Sequence, residues 1–242
     1  MRMDNYCEMP GNKNLNSGIK RRLLGVVGGM GMQATNYFCR LITEMQNVKA
    51  EQDYLNMLVY YNPSIPDRTA YLIQKSSENP LPALCEAVAK LENAGATYIA
   101  IPCVTSHNFY EYLTNATDIP IINMLEKAAG YVSSIKLKKV GLLATTGTVK
   151  TKVFESALNE AGVETVVPSE EDQNALMDII YKVKQGKSIG SHGFNELVMK
   201  LQADGAQAIV LGCTELSLIA DERDCFVDSL KVLARASLNY EL

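Results

Sequence analysis

Gly95-Ala96-Thr97-Tyr98-Ile99-Ala100-Ile101-Pro102-Cys103 and Gly205-Ala206-Gln207-Ala208-Ile209-Val210-Leu211-Gly212-Cys213 are one pattern written twice, at an offset of 110 residues. Each copy opens on the glycine that closes a helix, runs through a short apolar stretch and stops at a cysteine. A strand with no polar face belongs in a parallel sheet covered by helices on both sides. A second block repeats upstream. Gly25-Val26-Val27-Gly28-Gly29-Met30-Gly31-Met32 lies over Gly141-Leu142-Leu143-Ala144-Thr145-Thr146-Gly147-Thr148, with Thr35 over Thr151 at an offset of 116. Two blocks recurring in the same order mean an internal duplication.

Around these blocks the pattern predicts strands over 23–27, 55–61 and 98–101 and helices over 35–48 and 81–94 in the first half. The second half repeats the order, with strands over 140–144, 165–167 and 208–211 and helices over 153–161, 173–184 and 193–203. Strands alternating with helices place the chain in the α/β class, and 242 residues are enough for two compact units of roughly 100 residues each. The stretch 1–17, rich in Asn, Gly and Met, reads as a mobile arm.

Composition narrows the function classes. Hydrophobic residues make up 47% and charged residues 21%, so the chain can bury a core. A net charge of −4 without a basic run gives no electrostatic support for nucleic acid or an anionic membrane, and a small molecule is the expected partner. The first residues lack the apolar run of a signal peptide, no segment has the length of a membrane span, and a cytoplasmic location is expected. Six cysteines without a CxxC pair, beside two histidines, predict reduced thiols and no metal site.

The chemistry is expected where the duplication places it. Cys103 and Cys213 stand at the carboxyl ends of equivalent strands, the end at which parallel α/β sheets bind ligands. If the halves pack around a pseudo-twofold axis, the two thiols approach one ligand from opposite sides. Inverting a carbon centre by proton exchange needs a base on one face and an acid on the other, and a thiolate and a thiol supply both. Thr105 and Ser106 after one cysteine, and Thr214 and Glu215 after the other, are suited to hold a substrate's carboxylate and ammonium. Cys7, Cys39, Cys85 and Cys225 read as ordinary small hydrophobes. His107, four residues after Cys103, also admits a Cys–His hydrolase, though the second half has no matching histidine; His192 reads as an exposed loop residue. Gly28-Gly29-Met30-Gly31 lacks both the GxGxxG spacing and a Walker lysine, so a turn for a substrate carboxylate fits better than a nucleotide loop. Arg68 reads equally as a surface charge or as a carboxylate ligand.

The stretch 22–220 resembles the aspartate/glutamate racemase superfamily, most closely its aspartate racemase branch. The resemblance rests on Gly28-Gly29-Met30-Gly31, Ile65-Pro66-Asp67-Arg68-Thr69, Ile101-Pro102-Cys103-Val104-Thr105-Ser106-His107, Gly141-Leu142-Leu143-Ala144-Thr145 and Ile209-Val210-Leu211-Gly212-Cys213-Thr214-Glu215-Leu216. It implies two pseudo-symmetric Rossmann-like α/β domains, each with a parallel sheet flanked by helices and the active site between them. The corresponding division is 22–123 plus 221–242 for the first, 124–220 for the second and 1–21 for a flexible arm. It further implies a homodimer, no pyridoxal phosphate or metal, and Cys103 and Cys213 as acid and base. Met30, Gly31, Thr105, Ser106, Thr146, Gly147, Thr148 and Thr214 would then line the substrate site, with Arg68 and Lys184 receiving a second carboxylate. Where the family usually carries Asn after the first cysteine, this chain carries Val104. L- and D-aspartate are the expected substrates, with glutamate secondary. The same thiol positions also suit a hydantoin racemase, a maleate isomerase or an arylmalonate decarboxylase, and a weakly active amino-acid-binding protein stays open as a reading.

Overall fold

The computed structural model describes residues 22–187 and 192–241. The arm expected over 1–21 lies outside the described residues. The first half runs β1 (Leu23–Gly28), α1 (Met32–Glu44), β2 (Asn56–Tyr61), α2 (Arg68–Leu72), α3 (Leu81–Asn93) and β3 (Tyr98–Ala100). A 3-10 stretch (Val104–Phe109), α4 (Tyr110–Thr114) and α5 (Met124–Ser134) complete it. The second half runs β4 (Lys139–Ala144), α6 (Thr146–Thr151), α7 (Val153–Glu160), β5 (Glu164–Val166), α8 (Glu170–Lys184), α9 (His192–Ala203), β6 (Ala208–Gly212), β7 (Phe226–Asp228) and α10 (Ser229–Leu238).

The strands form two parallel sheets flanked by helices, ordered β2-β1-β3 and β5-β4-β6-β7. The duplication reaches farther than the two sequence blocks. Ile99 donates its N–H to Pro120 O at 2.8 Å, and its counterpart Ile209 donates to Cys225 O at 2.7 Å. Ile121 thereby bridges to β3 from the position β7 takes beside β6. A helix capped by an Asx side chain follows in both halves: Asn123 accepts from Leu125 and Glu126 N–H before α5, and Asp228 from Leu230 and Lys231 N–H before α10. Neither helix, nor β7, was among the elements predicted. Within 221–242, grouped above with the first half, β7 adds to the second sheet, while α10 packs against α1 and α5. One apolar cluster joins Leu24, Phe38 and Val132 to Val140, Leu142 and Leu230, so the halves share a core.

Boundary shifts have local causes. The helix predicted from 35 starts at Met32, because Gly31 adopts an extended conformation as its N-cap, and ends at Glu44. That predicted from 173 starts at Glu170. There the Ser169 hydroxyl accepts from Asp172 N–H, and three acidic residues in the first turn suit the positive end of the helix dipole. His192, expected in a loop, opens α9 with an exposed side chain.

The two sheets are closed by equivalent helices at equivalent glycines. A Cβ on Gly25 would lie 3.0 Å from Ala96 Cβ and 3.2 Å from Leu91 Cβ, at the end of α3. On Gly141 it would lie 2.7 Å from Ile209 Cδ1 and 3.0 Å from Leu201 Cβ, on α9. Gly141→Ala therefore overpacks the second half and should cost about 1–3 kcal/mol, read as a lower denaturation midpoint at unchanged m value. A variant as stable as the parent would show that this contact is loose.

Candidate active site

The central strands end in matching turns. At Gly29 the backbone is left-handed with φ 98°, and a Cβ there would lie 2.5 Å from the Asn62 carbonyl carbon, so only glycine fits. The Thr35 hydroxyl accepts from Gly29 N–H at 3.1 Å and donates to Gly31 O at 2.9 Å. In the second half Thr151 donates to Gly147 O, also at 2.9 Å. These bonds fix Met30-Gly31 after β1 and Thr146-Gly147-Thr148 after β4. Cys103 and Cys213 follow β3 and β6; their residues are 5% and 4% exposed.

Side chains from the two halves interlock around these ends. Thr105 lies 3.0 Å from Thr145 and 3.2 Å from Thr148, hydroxyl to hydroxyl, and Thr145 and Thr148 lie 3.1 Å apart. Ser106 Oγ meets Met30 Sδ at 3.2 Å. Arg68 is buried and donates through Nη2 to Met30 O and through Nη1 to the Ile65 and Pro66 carbonyls, while its Nε has no partner among the described residues. Glu215 Oε2 accepts from the Cys213 thiol at 3.1 Å and the Thr214 hydroxyl at 3.3 Å, and Lys184 Nζ stands 3.7 Å from Oε1. Oε1 also lies 2.8 Å from where a Cβ on Gly31 would stand. Thr146 stands apart: its hydroxyl accepts from Gln173 and lines an outer cavity of about 740 Å³ with Thr69 and Tyr181.

Residues 27–237 match the Asp/Glu/Hydantoin racemase family. The chain belongs to that family. The Picrophilus torridus aspartate racemase is similar in structure, with a TM-score of 0.82 at 27% identity, covering 90% of this chain and 93% of that one. An aspartate racemase homologue from Pyrococcus horikoshii OT3 has a TM-score of 0.71 at 25% identity, covering 90% and 97%. The broad specificity amino-acid racemase RacX of Bacillus subtilis is 23% identical over 227 residues, 90% of this chain and 97% of the relative.

Electrostatics distinguish the residues of this family member. Burial pushes the Cys213 thiol well above its ordinary value, the neighbouring Glu215 carboxylate adds to the rise, and Lys184 opposes it. For Lys184, burial disfavours the ammonium, but the nearby Glu215 carboxylate leads the opposing interactions and the net effect raises its pKa. Tyr181, one turn before Lys184, donates to Asp67 Oδ2 at 3.0 Å; burial and that carboxylate push its pKa up to about 12. Asp67 also caps α2, so this bond ties the helix carrying Arg68 to the helix carrying Lys184.

His107 does not act as a hydrolase base here. Met124 N–H donates to its Nε2 at 3.1 Å, which leaves the proton on Nδ1 to bond Cys103 O at 3.0 Å. Burial pushes its pKa down, and the neutral ring staples the first cysteine's backbone to α5. Val104 is buried in the apolar cluster with Phe38 and Met124. Sequence reasoning missed Thr145, Asp67, Tyr181 and Gln173 as neighbours of the site. Asp67 and Thr145 stand inside the motifs quoted above and Tyr181 shares a helix face with Lys184 at three-residue spacing, whereas Gln173 carried no signal. The described cysteines are all free.

Glu215 is one cause of the high Cys213 pKa, so Glu215→Gln should shift the onset of Cys213 alkylation to lower pH. Iodoacetamide labelling across pH, read peptide by peptide by mass spectrometry in a Cys103→Ser background, measures it. A parent midpoint at or below the ordinary thiol value of about 8.5 would overturn this account.

Proposed function

We propose that this racemase interconverts L- and D-aspartate by passing the α-proton between Cys103 and Cys213, without pyridoxal phosphate or metal. The observation that carries the reading is one buried cysteine after β3 and another after the equivalent β6, in a chain of this racemase family. One sulfur, as thiolate, takes the α-proton; the S–H bond forms as the C–H bond breaks. The electron pair passes into the substrate carboxyl group as an enediolate. The opposite thiol then protonates the other face and is left as the thiolate, ready for the reverse passage. Cys213, held as a thiol beside Glu215, is the acid of the resting site.

The remaining groups bind and orient. Ser106, on turning from Met30 Sδ, and the backbone N–H groups of Met30, Gly31 and Gly147 surround the α-carboxylate and stabilise its developing charge, while Thr105 and Thr148, bonded in the threonine ring, and Thr214, bonded to Glu215, line the site. Arg68 and Lys184 receive the distal carboxylate, which needs charged partners when it leaves water. The unpartnered Arg68 Nε supports this, since Nε–H and the second Nη2–H make a side-on fork for a carboxylate. The name of the Picrophilus torridus relative supports aspartate. The homodimer and the cytoplasmic setting belong to the same reading. A second reading, a site that also turns over glutamate and other amino acids, is favoured by the three backbone carbonyls that already occupy Arg68 and by the name of the Bacillus subtilis relative.

Proton NMR of L-aspartate in D₂O tests the reaction: α-deuteration should accompany appearance of the D form, and Cys103→Ser and Cys213→Ser should each abolish racemisation at unchanged melting temperature. Near-normal turnover in either variant would remove the two-thiol mechanism.

The side-chain carboxylate is tested separately. Arg68→Lys keeps the charge but loses the fork, and should lower kcat/KM for aspartate by on the order of tenfold while turnover of alanine changes little. An unchanged aspartate-to-alanine preference in both Arg68→Lys and Lys184→Met would remove the basis for aspartate selectivity.

A further inference from the structure

We propose that Glu215 is the acceptor for the substrate's α-ammonium group, so that this carboxylate makes the site select free amino acids over their deaminated counterparts. The inference rests on the racemase reading above and assigns a subsite within it. Glu215 is 2% exposed, yet its two oxygens differ. Oε2 is satisfied by the Cys213 thiol and the Thr214 hydroxyl, whereas Oε1 is buried without a hydrogen-bond partner among the described residues. Lys184 Nζ, 3.7 Å away, supplies charge but is too far to donate. A buried anionic oxygen with open lone pairs needs N–H donors, and an ammonium group brings three.

Position agrees with chemistry. The carboxylate that holds Cys213 lies beside the carbon that Cys213 must protonate, and the ammonium nitrogen is one bond from that carbon. The absence of a side chain at Gly31 lets the turn after β1 approach this oxygen closely, since a Cβ there would lie 2.8 Å from Oε1. Charge agrees as well. When Lys184 turns to the distal carboxylate of the substrate, Glu215 loses its neighbouring cation, and the incoming ammonium replaces it. The ion pair of the resting site is thus exchanged for two between protein and substrate, and neither Lys184 nor Glu215 is left without a counter-charge. A dicarboxylate without an ammonium would instead place another negative charge beside an unpaired one.

Calorimetric titration of L-aspartate and succinate into the full chain and its Glu215→Gln variant tests the assignment, with α-deuteration of aspartate followed in parallel. The parent should prefer aspartate by on the order of a hundredfold, as sites built around a polar group reject ligands lacking its partner. Glu215→Gln should reduce that preference by about tenfold or more, through weaker aspartate binding while succinate holds or tightens. If the amide variant does not fold, Glu215→Asp, which keeps the charge but withdraws it by one methylene, should give an intermediate loss. Normal deuteration by the parent with an unchanged preference in the variants would overturn the ammonium role and leave the racemase standing. A Glu215-dependent preference without deuteration would support the ammonium role and overturn the racemase. A parent that binds neither ligand, or binds both equally, would overturn the inference.

Discussion

Thr105, Thr145 and Thr148 make a ring of three buried hydroxyls, and the ring forms only if the end of β3 and the end of β4 meet. Each hydroxyl can donate once and accept from the next, so the group closes on itself without water. Such rings strengthen cooperatively, and a partly broken one leaves buried polar atoms unpaired. Two residues before Thr105 stands Cys103, and Thr145 begins the turn containing Gly147. Residues at the mouth of both sheets therefore take their positions from one short polar contact set inside apolar packing.

Much of this architecture was legible because the same physical problem is solved twice. Gly25 and Gly141 fall in one register of the duplication, and both meet a helix at less than ordinary contact distance. Ile99 and Ile209 likewise fall in one register and donate to equivalent carbonyls. The helices after each cysteine were missed, although Met124, Leu125, Ala128, Ala129 and Val132 recur at helical spacing on α5. Their signal emerges when the repeat is followed beyond Cys103 and Cys213. β3 and β5 are as short as β7 but each follows a helix closed by a glycine, Gly95 or Gly162, whereas β7 and the single bridge at Ile121 have no such marker before them.

The polar site was legible by residue type but not by partnership. Thr105, Ser106, Lys184 and Thr214 could be picked out near the cysteines or by resemblance, yet no local pattern pairs Tyr181 with Asp67, which are 114 residues apart. Nor could a sequence say that the two oxygens of Glu215 face different surroundings. His107 shows the converse. Its spacing from Cys103 invites a catalytic reading, and only the Met124 N–H on its ring nitrogen makes it a structural pin. Spacing along a chain reports which groups can meet, while burial and donor direction decide what they do.

Arg68 illustrates a further consequence. Its guanidinium is clamped by the carbonyls of Met30, Ile65 and Pro66 before any ligand arrives. An arginine free in solution forfeits about 2 kcal/mol of rotamer freedom when it is immobilised, and here that loss falls on folding rather than on ligand capture. The side chain behaves as an extension of the main chain, a rigid donor whose aim is set by the loop around it. Changes in that loop, at residues that never touch a ligand, would re-aim the donor and retune selectivity while the arginine itself stays the same.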